Sequence, residues 1–252
     1  MSQSDPDAAP DPESGPDPKL ALSRRRLFTG LTLIPLLAGE LPGCGDSSEH
    51  PAKNAAELPG NYKPTFFNAD EWALVVAACD RLIPADEHGP GAVELGVPEF
   101  IDRHMQTPYA SGDIWYMQGP FIEAAAQFGY QGRLSLRDIL RVGLHAIDTH
   151  CRQDFAGKQF VQLDHAQQET LLKAAESGEL HLEGLSSQLF FAQLLAEVRN
   201  GYFADPVHGG NKGMGSWKMI GYPGMRADYT DWVEVRDKPY PLPPVDLAGR
   251  RG

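Results

Sequence analysis

Cysteine is scarce in this 252-residue chain: Cys44, Cys79 and Cys151 stand singly and far apart. No Cys-x-x-Cys-His run can attach haem c, and no spacing suits an iron–sulfur cluster. Positive charge is also short, with 22 Lys and Arg against 34 Asp and Glu and a formal net charge of −12. Such a surface repels phosphate backbones, and no basic stripe interleaved with aromatics offsets it, so nucleic acid is not an expected partner. Nowhere does an apolar run approach the roughly 20 residues that a membrane-spanning helix needs. Polar and apolar residues never alternate with period two over a sustained stretch, so sheet is minor at most.

Catalytic signatures are equally sparse. The chain has no Gly-x-Ser-x-Gly elbow, and no cysteine lies in an electropositive setting. Lys212 is followed by Gly213-Met214, whereas a phosphate-binding Walker loop needs Gly-Lys followed by Ser or Thr at a helix start. A dinucleotide fingerprint would need a strand before the glycines and a helix after them, and neither is read here. Of the eight histidines, His145 and His150 are five apart. That spacing points the imidazoles about 140° apart around a helix, unlike the i, i+4 pair of a zinc site. Asp86 and Glu87 fall in a polar loop and read as solvated charge. Catalytic, cofactor-binding and metal-binding residues are therefore expected to be none in this chain.

Glycine and proline, by contrast, are plentiful, and the first twenty-two residues carry repeated Asp-Pro pairs and few large apolar side chains. Residues 1–22 are expected to be a disordered tail, because they cannot bury enough surface to offset the entropy of ordering. Residues 23–44 begin Ser23-Arg24-Arg25-Arg26-Leu27-Phe28-Thr29-Gly30 and continue into the apolar run Leu31 to Ala38, interrupted by Pro35. Charge followed by a short apolar run reads as a leader. Arg25 and Arg26, with Phe28 at the aromatic position, resemble a twin-arginine (Tat) export signal, a route for folded proteins, although Thr29 replaces the usual apolar residue. Leu41-Pro42-Gly43-Cys44 resembles a lipobox from which Glu40 and Pro42 depart. Both a lipidated Cys44 and an unmodified one are open, and a single acyl chain would give only marginal membrane binding.

Residues 45–65 read as a linker, and 66–226 as one helical domain. Asn68 with Glu71 forms a capping-box start, and Trp72, Val75, Val76, Cys79, Leu82 and Ile83 recur at helical spacing until Pro84. Pro98 opens a short helix carrying Phe100, Ile101 and Met105. Ser111 to Phe128, rich in Ile114, Trp115, Met117, Phe121 and Ile122, reads as helical with a split at Gly119-Pro120. Ser135 with Asp138, Asp164 with Gln167, and Ser186 open three more helices, the last running to Gly201. Cys79 and Cys151 lie on apolar helical faces, and three fates stay open: a mutual disulfide, two buried thiols, or a bond to another subunit. Beyond Gly201 the sequence reads as non-helical. Glycines and prolines mix there with Tyr202, Phe203, Trp217, Met219 and Tyr222, describing an ordered loop that lays aromatic side chains against something. The fold class expected is mainly α: a helix bundle with a long Gly/aromatic-rich C-terminal arm, followed by a C-terminal extension, 227–252.

Asn200-Gly201-Tyr202-Phe203-Ala204-Asp205-Pro206, then Gly209-Gly210-Asn211-Lys212-Gly213-Met214-Gly215-Ser216-Trp217-Lys218-Met219-Ile220-Gly221-Tyr222-Pro223-Gly224, resembles the most characteristic stretch of gluconate 2-dehydrogenase subunit 3. Phe67 to Trp72 and Asp80 to Pro84 extend the resemblance, which runs from about residue 66 to 226, and the twin-arginine leader is similar too. The resemblance implies a small, non-catalytic subunit holding no cofactor of its own. Its partners would be a large FAD-dependent subunit of the glucose–methanol–choline type and a cytochrome c subunit, so that FAD, with haem c or iron–sulfur, resides in the partners. It implies a periplasmic complex at the inner membrane, held there through the complex or a lipid anchor, with the flavoprotein stabilised and co-exported by the Tat pathway. On this reading Tyr202, Phe203, Trp217, Met219 and Tyr222 are the candidate partner interface, with Trp217 and Tyr222 as anchors, and Cys151 is a candidate intersubunit bond. Two other classes compete: a free-standing periplasmic lipoprotein that binds a ligand, and a hydrolase using the 204–224 loop.

Overall fold

A computed structural model of the chain describes residues 61–252 except 123 and 124. The export signal Arg25, Arg26 and Phe28, the lipidation candidate Cys44, and most of the linker lie outside the described residues. Seven α-helices make up the described part: α1 (Ala69–Leu82), α2 (Val97–His104), α3 (Pro108–Ser111), α4 (Leu136–Asp154), α5 (His165–Ser177), α6 (Ser187–Phe203) and α7 (Gly215–Ile220). Among the described residues there are no strands, only isolated bridges such as Gly224 to Val245.

Local side-chain chemistry sets where the helices begin. The Asn68 side chain accepts from the Glu71 amide at 3.0 Å, and the Glu71 carboxylate accepts from the Asn68 amide at 2.9 Å. Two of the amides that a helix start leaves without partners are thereby satisfied. Asp164 and Gln167 repeat the exchange before α5, at 2.8 and 3.1 Å. At α4 the Ser135 hydroxyl donates to Asp138 at 2.6 Å. Gly178, with φ of 83°, closes α5 in the left-handed region.

Helix α6 is the axis of the bundle, touching α1, α2, α4, α5 and α7. Phe190, Leu194 and Val198 on α6 are fully enclosed, together with Leu140, Leu144 and Ile147 of α4 and Val75 of α1. Burying each such side chain contributes about 1.5–3 kcal/mol relative to leaving it in water. The α4–α6 contact depends on Gly143, where an added Cβ would lie 1.9 Å from the Phe190 ring. Because that ring is itself enclosed, any larger residue at 143 must push the helices apart.

A buried carboxylate ties the chain preceding α1 to the bundle. Asp102 on α2 is fully enclosed and accepts from the amides of Thr65, Phe66 and Phe67 at 2.8, 3.1 and 2.9 Å. It also accepts from the hydroxyls of Tyr62 and Thr65, at 2.7 and 3.1 Å. Burial alone would raise its pKa, but these donors outweigh burial and hold the carboxyl below its usual value. The Tyr62 hydroxyl is pushed up to about 12 by burial and by its bond to Asp102. It therefore remains a donor at neutral pH.

Two expectations are corrected. The described residues of 111–128 form no split helix: α3 stops at Ser111, Gly112 turns with φ of 85°, and only a three-residue 3-10 turn ends at Phe128. Ile114, Trp115 and Tyr116 stand 53–84% exposed, so no apolar face is packed that could hold a helix there. Conversely, the stretch after Gly201 contains helix. α6 continues to Phe203, and α7 forms at Gly215–Ile220 despite its glycines. Nor does this stretch stand away as an arm: it folds back onto α6, where Trp217 is 3% exposed. Tertiary burial overrides the weak helix propensity of the local sequence.

Candidate partner interface

Two segments concentrate aromatic residues, and they face opposite ways chemically. In the first, residues 202–224, Asn211 is the hub. It sits fully enclosed with φ of 44°, a left-handed conformation that Asn tolerates better than most residues. Its side chain donates to the Ala204 carbonyl at 3.0 Å and accepts from the Ser216 amide and hydroxyl at 3.0 and 2.8 Å. One residue thereby joins the end of α6 to the start of α7. The Trp217 indole donates to the Phe203 carbonyl at 3.0 Å and meets the Tyr222 ring edge-on at 5.1 Å. The Tyr202 hydroxyl donates to the Pro90 carbonyl at 2.8 Å. Burial, with the carboxylates of Asp86 and Glu94 adding to it, raises the Tyr202 pKa and keeps the proton on that oxygen.

Charge closes the same corner. Glu99 on α2, 5% exposed, accepts from Lys212 and from Arg103, the latter at 2.5 Å. Gly96 faces this pair with φ of 73°, and an added Cβ would meet the Gly209 carbonyl at 2.9 Å. Further on, Asp205 accepts from the Leu247 amide at 2.8 Å, clipping the C-terminal extension to the end of α6.

Of the five aromatic and Met residues expected to meet a partner, Tyr202 and Trp217 are therefore spent inside this chain, at 4% and 3% exposure. Phe203, Met219 and Tyr222 are partly open, at 44%, 41% and 37%. Trp217 fills the chain's own core and is not an outward anchor. Ser216, the one serine of the 204–224 loop, is enclosed and its hydroxyl is committed to Asn211. A hydrolytic nucleophile cannot be drawn from it in this arrangement.

The second segment, residues 109–130, turns its rings outward. It begins at a part-buried contact: His104 of α2 meets Glu197 of α6 at 2.6 Å, and Asn200 donates to the same carboxylate at 3.2 Å. Tyr109 stacks on the His104 ring at 5.4 Å, and Trp115 lies edge-on to Tyr109 at 5.1 Å. The Trp115 indole donates to the Tyr109 carbonyl at 3.1 Å, which fixes the turn. Between this turn and α4 runs a groove of about 820 Å³ whose walls include Trp115, Met117, Phe121, Tyr130, Leu136 and Ile139. Among the described residues no charged side chain lines it.

Cys79 and Cys151 are both free, and both are fully enclosed. Burial pushes the Cys79 thiol far above its ordinary range, and burial with the nearby Asp148 carboxylate pushes Cys151 up to about 12. Both are neutral thiols near pH 7, and neither presents a sulfur that a second subunit could reach without opening the bundle. His145 is exposed, while His150 faces Asp154 at 3.4 Å. Among the described residues no group of three His, Cys, Asp or Glu side chains could hold a metal ion. None of the described helices is long and apolar enough to cross a membrane.

A family model described as gluconate 2-dehydrogenase subunit 3 matches residues 69–224. No curated protein and no solved structure matches the chain. The family match spans α1 to the end of the Gly-rich turn after α7 and covers more than half of the chain, which therefore belongs to that family.

Proposed function

We propose, with membership of the gluconate 2-dehydrogenase subunit 3 family as premise, that this chain is the non-catalytic small subunit of an exported sugar or sugar-acid dehydrogenase complex. It stabilises a large FAD-dependent subunit of the glucose–methanol–choline type. With the Arg25-Arg26 signal it carries that folded partner through the Tat pathway to the periplasmic face of the inner membrane. FAD belongs to the partner, and a cytochrome c subunit takes the electrons onward. The observation that carries this reading is the family match over residues 69–224. The leader residues Arg25, Arg26 and Phe28 support the export half of it.

The test is fractionation of the native host carrying Arg25→Lys with Arg26→Lys. Both this chain and its flavoprotein should then stay in the cytoplasm. A flavoprotein that reaches the periplasm unhindered would show that it does not depend on this chain's signal. Tagged full-length chain from unmutated cells should bring down a flavin-containing, sugar-oxidising protein. Recovery of the chain alone, from cells that make an active dehydrogenase, would remove the subunit reading.

A further inference from the structure

The aromatic groove between residues 109–130 and α4 is built as a protein interface. Tyr109, Trp115, Tyr116, Phe121, Phe128 and Tyr130 are 41–84% exposed, and Ile114 and Ile122 stand with them at 66% and 73%. Aromatic side chains carry about 150–250 Å² each, so these six rings alone leave on the order of 700 Å² of ring surface open to water. That approaches the roughly 800 Å² per partner of a stable protein–protein contact and exceeds what a lone soluble chain ordinarily leaves bare. The composition matches as well, since interface centres are rich in Tyr, Trp, Phe and Met and poor in charge.

We infer that this groove receives an apolar protrusion of the flavin-containing subunit, an inference that rests on the small-subunit reading above. Chemistry on the page selects that occupant over two others. A membrane surface would call for Lys and Arg around the apolar face, whereas no Lys or Arg is among the described residues that line the groove and the chain as a whole carries −12. A second copy docking by a two-fold axis would set groove against groove, leaving a hollow of this size unfilled. A concave wall needs a convex, dissimilar partner. The rigid start of the segment, Tyr109 on the His104–Glu197 pair, holds the rings in place before the partner arrives, which lowers the ordering cost of docking.

The test uses tagged full-length chain recovered from its native host, with flavin absorbance and sugar oxidation identifying the partner. Tyr116→Asp with Phe128→Asp is the probe, both residues being largely exposed, and Val233→Asp, 70% exposed, is the control in the C-terminal extension. The inference expects recovery of the flavoprotein to fall at least about tenfold with the probe and to hold with the control, while both variants melt like the parent. Equal recovery with probe and parent overturns the docking site and leaves the subunit reading standing. If the parent itself brings down no flavoprotein, the subunit reading falls and this inference falls with it. Two further outcomes overturn it: a parent dimer that the probe splits while flavoprotein recovery holds, and parent binding to anionic vesicles that the probe abolishes while flavoprotein recovery holds.

Discussion

Residues 202–224 and residues 109–130 both mix aromatic side chains with glycine, yet the first segment closes a core and the second leaves a surface open. The difference lies in polar partners. In the C-terminal segment Asn211 is bonded to Ala204 and Ser216, Trp217 to Phe203, and Tyr202 to Pro90, so the large rings can be enclosed without stranding a polar atom. In the 109–130 segment the Trp115 indole bonds back to its own turn, Tyr130 accepts only from the nearby Leu134 amide among the described residues, and Tyr116 is 84% exposed. Aromatic content alone therefore does not mark an interface; the bonding of the rings' polar ends separates structural from available aromatics.

The comparison breaks most visibly at Trp217. Trp217→Ala should cost the isolated chain about 3–5 kcal/mol, as expected for a large enclosed side chain, and thermal or urea unfolding would read it directly. Should the melting temperature be unchanged, the C-terminal segment is not core. Asn211→Ala comes next, at about 2–3 kcal/mol, because it leaves the buried Ser216 groups and the Ala204 carbonyl without their partner. Hydrogen exchange of that variant should show lost protection in α7 and at the end of α6 before the rest of the bundle.

Asp102 sharpens the contrast from outside both segments. Asp102→Asn should cost about 2–3 kcal/mol at neutral pH, since a neutral amide accepts less strongly from five donors and adds a donor of its own. The pH dependence has a defined sign. The folded carboxyl titrates below its ordinary value of 3.8, so its contribution is complete above about pH 4 and is lost as pH falls through the depressed folded value. Unfolding curves of parent and variant should therefore converge in acid; a gap that stays constant down to strongly acidic pH would contradict the assignment. Smallest of all should be Tyr116→Asp, within about 0.5 kcal/mol of the parent, because that ring packs on little in the free chain.

Helix starts were largely legible in the sequence, because a capping box is a short-range signal: Asn68 with Glu71 and Asp164 with Gln167 pair as their spacing predicts. Ser135 with Asp138 likewise opens α4. Helix α7 was not legible, since its cause is long-range, in Asn211 reaching back to Ala204 and Trp217 to Phe203. The reverse error occurred at 111–128, where apolar residues at helical spacing face water and so have no packed face to stabilise a helix. Of the aromatic residues singled out for an interface, Tyr202 and Trp217 are enclosed, while Phe203 and Tyr222 stay partly open. That Trp217 would be enclosed depends on the course of α6, and no local pattern encodes it. The family resemblance was legible from the same Gly-rich stretch, whose residues fold this chain's own C-terminal corner.

Hydrogen exchange of the free chain and of the purified flavoprotein complex tests the account most directly, by reading both segments in one experiment. Amides of residues 204–224 should already be protected in the free chain and change little in the complex. Amides of residues 116–122, beyond the rigid start of the second segment, should exchange quickly in the free chain and gain protection on binding. A complex in which 204–224 gains the protection while 116–122 stays open would contradict the account.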